Sequence, residues 1–225
     1  MSKPFRNCAR IIAFGDSITS GVASSPTGNI LTPSYMQRFV SKLGDISTFK
    51  NAAVSSTYIC DPNTPNSIYN RLMNLKDHYD AIFIAGGVND YAFAKPLGCL
   101  GDTTPTTFYG CLTNMCKHLK NNHANSTVFF ITPLAVHRIK GTELFENANP
   151  YRNAIYEVAT QYGFNVIDGS QLGLDGDVSS EFLSRYIYDG YHPTADGHEL
   201  VAENLYQLLK STTAHPDKEA YIPDL

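Results

Sequence analysis

Five short apolar runs punctuate the chain, at Ala9–Phe14, Thr48–Val54, Ala81–Ala85, Thr127–Ile131 and Phe164–Ile167. Each is rich in Ile, Val and Phe and bounded by Gly, Asp, Asn or Pro. A strand with one wet face would alternate apolar and polar residues; continuous runs of this length predict strands covered on both faces. Between them the apolar positions recur at helical spacing. Tyr35, Met36, Phe39, Val40 and Leu43 mark one helix, with Pro33 and Ser34 at its start, and Ile68, Leu72 and Leu75 mark a second. Phe108, Leu112, Met115 and Leu119 mark a third. Asn149-Pro150 opens a fourth, with Ala154, Ile155, Val158 and Tyr162 inward and Gly163 as its stop. Leu200, Val201, Leu205, Leu208 and Leu209 mark the last. Strand–helix alternation of this kind predicts an α/β fold, a parallel sheet with helices on both faces. No repeat, low-complexity stretch or linker divides the 225 residues. The expectation is one domain over residues 1–225, with a core of about 10–209 and a polar tail over 211–225.

Composition narrows the function classes. Charged residues are 17% and hydrophobic residues 43% of the chain, as in an ordinary globular protein. The formal net charge is -4, and the 17 Lys and Arg residues are scattered. Nucleic acid or an anionic membrane surface would want a clustered basic face, so neither is expected as a partner. No apolar run approaches the roughly 20 residues needed to cross a bilayer. Ala9–Phe14 is too short for an export-signal core. A cytoplasmic protein is expected, with a secreted mature form or a phage-associated one left open. The five cysteines, Cys8, Cys60, Cys99, Cys111 and Cys116, lack Cys-x-x-Cys spacing and suit neither a disulfide framework nor a zinc site. Cys111 and Cys116 fall in a helical pattern and read as small core residues, and a pair such as Cys60 with Cys99 stays open. Neither metal nor cofactor is expected.

Three polar clusters follow or flank the predicted elements in a shared way. Functional groups in an open parallel sheet gather outside the carboxyl ends of its strands. Gly15-Asp16-Ser17-Ile18-Thr19 follows the first strand directly, where a serine hydroxyl faces the crevice and helix-start N–H groups are free to meet an oxyanion. Alone it is an ordinary turn and helix cap. Gly86-Gly87-Val88-Asn89-Asp90 follows the third strand; its glycines permit close backbone approach, and an Asn amide can donate to an oxyanion without adding charge. Asp189-Gly190-Tyr191-His192-Pro193 precedes the last helix, with a carboxylate three residues before an imidazole, able to set its tautomer and stabilise the imidazolium. Among the other histidines, His78, His118, His123 and His215 read as surface, and His137 and His198 have weaker local company. Nucleophile, base with orienting acid, and oxyanion donor together make an acyl-transfer set.

With these blocks in this order, the chain resembles the SGNH hydrolases, also called the GDSL lipase/esterase family, from about Arg10 to Leu209. Ile12 to Thr19 is similar to the family's first block, Gly86 to Asp90 to its third, and Asp189 to Pro193 to its last. The resemblance implies a three-layer α/β/α sandwich, flavodoxin-like, with a five-stranded parallel sheet. It implies Ser17 as nucleophile, His192 as general base and Asp189 as its partner. It also implies an oxyanion hole from the Ser17 N–H, the Asn89 amide and a backbone N–H in the second block. There the family carries a glycine, and Asn51-Ala-Ala-Val-Ser-Ser56 aligns Ser56 with it. Any residue but proline keeps that N–H, although a side chain is strained if φ is positive there. The Gly-x-Ser-x-Gly elbow of the α/β-hydrolases is absent from the sequence.

The expected activity is therefore carboxylic ester hydrolysis, with short-acyl, acetyl, esters on a small molecule or saccharide as the leading substrate. A lipase, lysophospholipase or thioesterase of the same family, or a non-catalytic carbohydrate-binding module, are the alternatives. The loops Tyr91–Thr107, Ala135–Asn149 and Gly169–Tyr188 are expected to shape the site. Asp16, Tyr91 and Tyr191 are candidates for substrate contact; Tyr186 and Tyr188 could also offer ring faces, and core packing accounts for the tyrosines equally well. Oligomeric state is not legible in these residues.

Overall fold

The computed structural model describes residues 8–134, 148–174 and 179–212. Five strands form one parallel sheet: β1 (Arg10–Phe14), β4 (Thr48–Asn51), β5 (Ala81–Ala85), β6 (Thr127–Ile131) and β7 (Asn165–Ile167). Their order across the sheet is β4-β1-β5-β6-β7. All five predicted runs are strands, and the two central ones are the most apolar for a physical reason. Ile11–Phe14 and all of β5 are buried, because each is paired on both edges and covered on both faces. Edge strand β4 is half exposed. Its ladder ends at Asn51, whose side chain turns back to accept from the Ala53 N–H at 3.1 Å and donate to the Thr19 carbonyl at 2.8 Å.

Helices form two layers. In one, α2 (Tyr35–Leu43) packs against α8 (Ala195–Thr212). In the other, α5 (Phe108–Asn122) lies between α3 (Ile68–Met73) and α6 (Ala148–Gln161). The helix α2 buries Tyr35, Met36, Phe39 and Val40, the face its spacing predicts. It opens with a capping box: Ser34 accepts from the Gln37 N–H, and the Gln37 side chain accepts from the Ser34 N–H. Phe83 of β5 meets Phe39 edge-on at 5.7 Å and stacks on Phe129 of β6 at 4.8 Å, so the sheet and α2 share one aromatic seam.

The chain leaves β1 toward β4 on one side and returns to β5 on the other. That reversal opens a crevice between the carboxyl ends of β1 and β5, the place where an open α/β sheet binds its ligands. A two-stranded hairpin, β2 (Val22–Ala23) with β3 (Ile30–Leu31), borders it and was not anticipated, since strands of this length show no period. Two further short helices, α4 (Val88–Ala92) and α7 (Ser180–Tyr186), also lie outside the predicted set. All five cysteines are free thiols. The Cys60–Cys99 pair is not formed: Cys60 is buried, whereas Cys99 is exposed with its sulfur 3.4 Å from Asp102 Oδ1. Cys111 and Cys116 are core residues, as expected. His123, read as surface, is instead buried with Nε2 at 3.3 Å from the Leu75 carbonyl. Among the described residues no helix is long and apolar enough to cross a membrane.

Candidate active site

Where β1 ends, the chain must turn sharply into α1 (Ser17–Ser20) beside the end of β5. Gly15 makes that possible: a Cβ there would lie 2.4 Å from Thr19 and 2.9 Å from the Ala85 carbonyl oxygen. Asp16 caps the turn, its Oδ1 accepting the Ile18 N–H at 3.0 Å. Ser17 thus stands at the first position of the helix, where its own N–H has no intrahelical partner.

The Ser17 hydroxyl lies 3.0 Å from His192 Nε2. On the other side of the ring, His192 Nδ1 lies 2.9 Å from Asp189 Oδ2. A carboxylate only accepts, so the ring proton sits on Nδ1 and the Nε2 lone pair faces the serine. The second carboxylate oxygen, Oδ1, accepts the Tyr191 N–H at 2.8 Å and the His192 N–H at 2.7 Å. Burial works against the Asp189 charge, but the bonds from the His192 ring and from the His192 and Tyr191 backbone outweigh it and hold the carboxyl below its usual range. The loop is tied down from outside by the hairpin. Ser24 donates its N–H to the Pro193 carbonyl at 3.0 Å and its hydroxyl to the His192 carbonyl at 2.6 Å.

Asn89 reaches the same crevice from the start of α4, whose entry Gly87 is left-handed, φ 103°. A Cβ at Gly87 would press on Phe108 and Pro133, each at 3.3 Å. The Asn89 amide donates to the Thr57 carbonyl at 2.9 Å and its oxygen accepts from the Tyr191 hydroxyl at 2.8 Å. Ser56, one residue before Thr57, is exposed and left-handed, φ 59°. The strain foreseen for a side chain at this position is therefore present.

Two charges to which the sequence pattern assigns no role of their own, the buried Asp90 and the half-buried Arg71, hold the Ser56 loop. Asp90 accepts the Ile59 N–H at 3.0 Å and the Cys60 N–H at 2.8 Å; burial pushes its carboxyl up to about 6 despite those bonds. Arg71 of α3 donates to the Gly15 carbonyl at 2.8 Å, the Thr57 hydroxyl at 3.0 Å, the Asn66 carbonyl at 2.8 Å and the Ala52 carbonyl. Burial brings its guanidinium down to about 10, with Asp16 nearby opposing the shift. One side chain thereby clamps the segment before Ser17 to the loop carrying Ser56. A charge beside Leu72 in a short helix was the only sequence sign of it.

The remaining candidates divide. Asp16 and Tyr91 are each 2% exposed, which removes them from substrate contact and places them in the frame of the site. Burial pushes the Asp16 carboxyl up to about 6, and the Ile18 N–H only partly offsets this. Tyr91 packs its ring against Tyr151 at 6.3 Å. Tyr188 is exposed and Tyr186 half-buried. His198 is buried, accepts the Tyr35 N–H at Nδ1 and donates from Nε2 to the Val22 carbonyl; burial holds it down at about 4, neutral and structural. His137, His215 and residues 135–147 of the second loop lie outside the described residues. Further exposed aromatic surface comes from Phe93, 66% exposed, edge-on to Tyr58 at 5.9 Å, with Lys95 Nζ 4.1 Å above the Tyr58 ring. Tyr58 follows Thr57, whose carbonyl accepts from the Asn89 amide. Among the described residues no three His, Cys, Asp or Glu side chains converge as metal ligands.

The model of the GDSL-like Lipase/Acylhydrolase family matches residues 13–200, a span that takes in all three blocks. A search of the curated proteins found no match. Among solved structures, a protein from Lactobacillus plantarum is 25% identical, with a TM-score of 0.75 over 91% of this chain and 97% of that one. A lipase/acylhydrolase from Enterococcus faecalis is 20% identical, TM-score 0.63, over 90% and 96%. An acetyl xylan esterase from Geobacillus stearothermophilus is 16% identical, TM-score 0.67, over 90% and 95%. The last two establish a shared fold.

Proposed function

Because the chain belongs to the GDSL-like lipase/acylhydrolase family, we propose that it is a serine ester hydrolase with Ser17 as nucleophile, working through a covalent acyl-enzyme. The observation that carries this reading is the unbroken relay from Ser17 Oγ to His192 Nε2 at 3.0 Å and from His192 Nδ1 to Asp189 at 2.9 Å. His192 takes the serine proton as Oγ attacks the ester carbonyl, and Asp189 stabilises the imidazolium that forms. The carbonyl oxygen, now an oxyanion, is met by the N–H groups of Ser17 and Ser56 and the side-chain N–H of Asn89. Collapse of the tetrahedral intermediate expels the alcohol, which takes the proton from His192. Water, deprotonated by His192, then attacks the acyl-enzyme and releases the acid and Ser17.

The preferred substrate is a short-acyl ester, acetyl above all, carried on a saccharide. Two features favour it. A side chain at Ser56, where the family carries glycine, is expected to narrow the space beside the oxyanion, and Phe93, exposed and edge-on to Tyr58, offers aromatic surface for the face of a sugar ring. The acetyl xylan esterase contributes only its fold to this argument. The test is hydrolysis of a p-nitrophenyl ester series beside acetylated xylo-oligosaccharides, with labelling by a fluorophosphonate probe. Ser17→Ala is expected to abolish both turnover and labelling with the fold intact; undiminished hydrolysis overturns the assignment. Turnover confined to long acyl chains overturns the acetyl preference and leaves a lipase of the same family. A wild-type chain that neither labels nor turns over is a binding module.

A further inference from the structure

The orientation of the Asn89 amide follows from its two partners. The Thr57 carbonyl can only accept, so the amide atom 2.9 Å from it is Nδ2. The atom 2.8 Å from the Tyr191 hydroxyl is then Oδ1, which also only accepts, so the hydroxyl is the donor. One Nδ2 hydrogen is spent on Thr57, and the other is free of any acceptor among the described residues. Tyr191 makes two further contacts, both on the other half of the site. Its N–H donates to Asp189 Oδ1 at 2.8 Å, and its ring meets the His192 ring edge-on at 5.0 Å. Burial, with Asp16, Tyr91, Tyr58 and Asp189 adding to it, pushes the phenol well above its usual range, so it keeps its proton at any working pH.

We infer that Tyr191 is a positioning residue for the reaction: its hydroxyl fixes and polarises the Asn89 amide so that the free N–H is aimed at the oxyanion. This rests on the reading of Asn89 as an oxyanion donor. Two effects follow from the bond. Asn89 is 6% exposed, so without the phenol its Oδ1 loses the one side-chain partner it has among the described residues, and of these the Thr57 carbonyl alone still holds the amide. A hydrogen bond to the amide oxygen also draws electron density from the nitrogen, and bonds in such a chain strengthen one another by roughly 10–30%. Both effects act where charge develops on the substrate oxygen, so they are felt in the transition state more than in the bound ester. The same residue thus ties the acid–base arm to the oxyanion arm.

Tyr191→Phe isolates the hydroxyl, since the ring on His192 and the N–H on Asp189 stay. Measured on p-nitrophenyl acetate, with active sites counted by fluorophosphonate titration and folding checked by thermal melting, kcat is expected to fall about tenfold with KM within about twofold. That is a part of the roughly 10²–10³-fold loss that removal of a whole oxyanion donor causes. In an Asn89→Ala background the same substitution is expected to change kcat by less than about twofold, because the group it acts through is gone. A Tyr191→Phe variant with wild-type kcat overturns the proposal, and so does a tenfold loss that persists in Asn89→Ala. If Asn89→Ala itself retains wild-type kcat, the oxyanion reading falls first, and this inference with it.

Discussion

Ser56 is one of two non-glycine residues with positive φ among the described residues, and replacing it by glycine puts the loop geometry to a quantitative test. At φ 59° an L-residue brings Cβ too close to the following carbonyl, a cost of roughly 1–2 kcal/mol that glycine does not bear. The loop cannot relax to avoid it. The Val54 N–H is bonded to the Gly15 carbonyl at 3.1 Å, the Thr57 hydroxyl to the Val54 carbonyl at 2.7 Å, and Arg71 grips Thr57 and Ala52. Glycine returns some of the gain through a more flexible unfolded chain, roughly 0.4–1 kcal/mol. The net expectation for Ser56→Gly is stabilisation of about 0.5–1 kcal/mol. For a chain of this size, at about 2–4 °C per kcal/mol, the melting temperature should rise by roughly 1–4 °C. Ser56→Val should move it the opposite way by a comparable amount, since branching at Cβ is worst in this region. Both variants keep the backbone N–H, so kcat on an acetyl ester should hold in Ser56→Gly, while butyrate and longer esters gain relative to acetate. Calorimetric melting and the ester series are read on the same samples. A drop in melting temperature for Ser56→Gly, or a valine variant as stable as wild type, refutes the claim that this residue is held in a strained conformation.

Asp189→Asn, which accepts at one oxygen where the carboxylate used two, should favour the wrong ring tautomer and lower kcat on p-nitrophenyl acetate by about 10⁴-fold; a loss under about tenfold would show that His192 does not depend on it. For Asp16, burial lifts the carboxyl from 3.8 to about 6, so over that window the folded chain holds a proton the unfolded chain has released. The contribution of Asp16 to stability is therefore greatest below pH 4 and declines as pH rises through 6, by on the order of 3 kcal/mol. Asp16→Asn keeps a cap on Ile18, since asparagine caps as well as aspartate, and should flatten that decline in urea titrations run from pH 4 to 7; an unchanged slope would locate the effect elsewhere.

The central sheet was legible because burial on both faces leaves its mark in consecutive residues. Ile11–Phe14 and Ala81–Ala85 have no polar alternation to confuse them, and the helix spacing between them limits the connection to a crossover. The hairpin β2–β3 and helices α4 and α7 were not legible, since two, five and seven residues are too few for a period to repeat. Within the site, the parts that could be read are those joined over short stretches of chain or placed directly at strand ends. Ser17 and Asn89 each follow a strand, and Asp189 precedes His192 by three positions.

The parts that could not be read are made by closure of distant segments: Arg71 on Gly15 across 56 positions, Tyr191 on Asn89 across 102, Asp90 on Ile59 across 31. No local pattern marks such partners. The same limit explains why Asp16 and Tyr91 looked like substrate contacts. A polar or aromatic residue beside a nucleophile is as useful for building the frame as for meeting the ligand, and only burial separates the two uses. Here the frame takes the buried Asp16 and Asp90 and the half-buried Arg71 and Tyr191, and it spends their polar atoms on backbone N–H and carbonyl groups and on the Asn89 amide. An aromatic residue left outside that frame keeps its ring face open, as Phe93 does, exposed, edge-on to Tyr58 at 5.9 Å and directly before the left-handed Ala94, φ 48°.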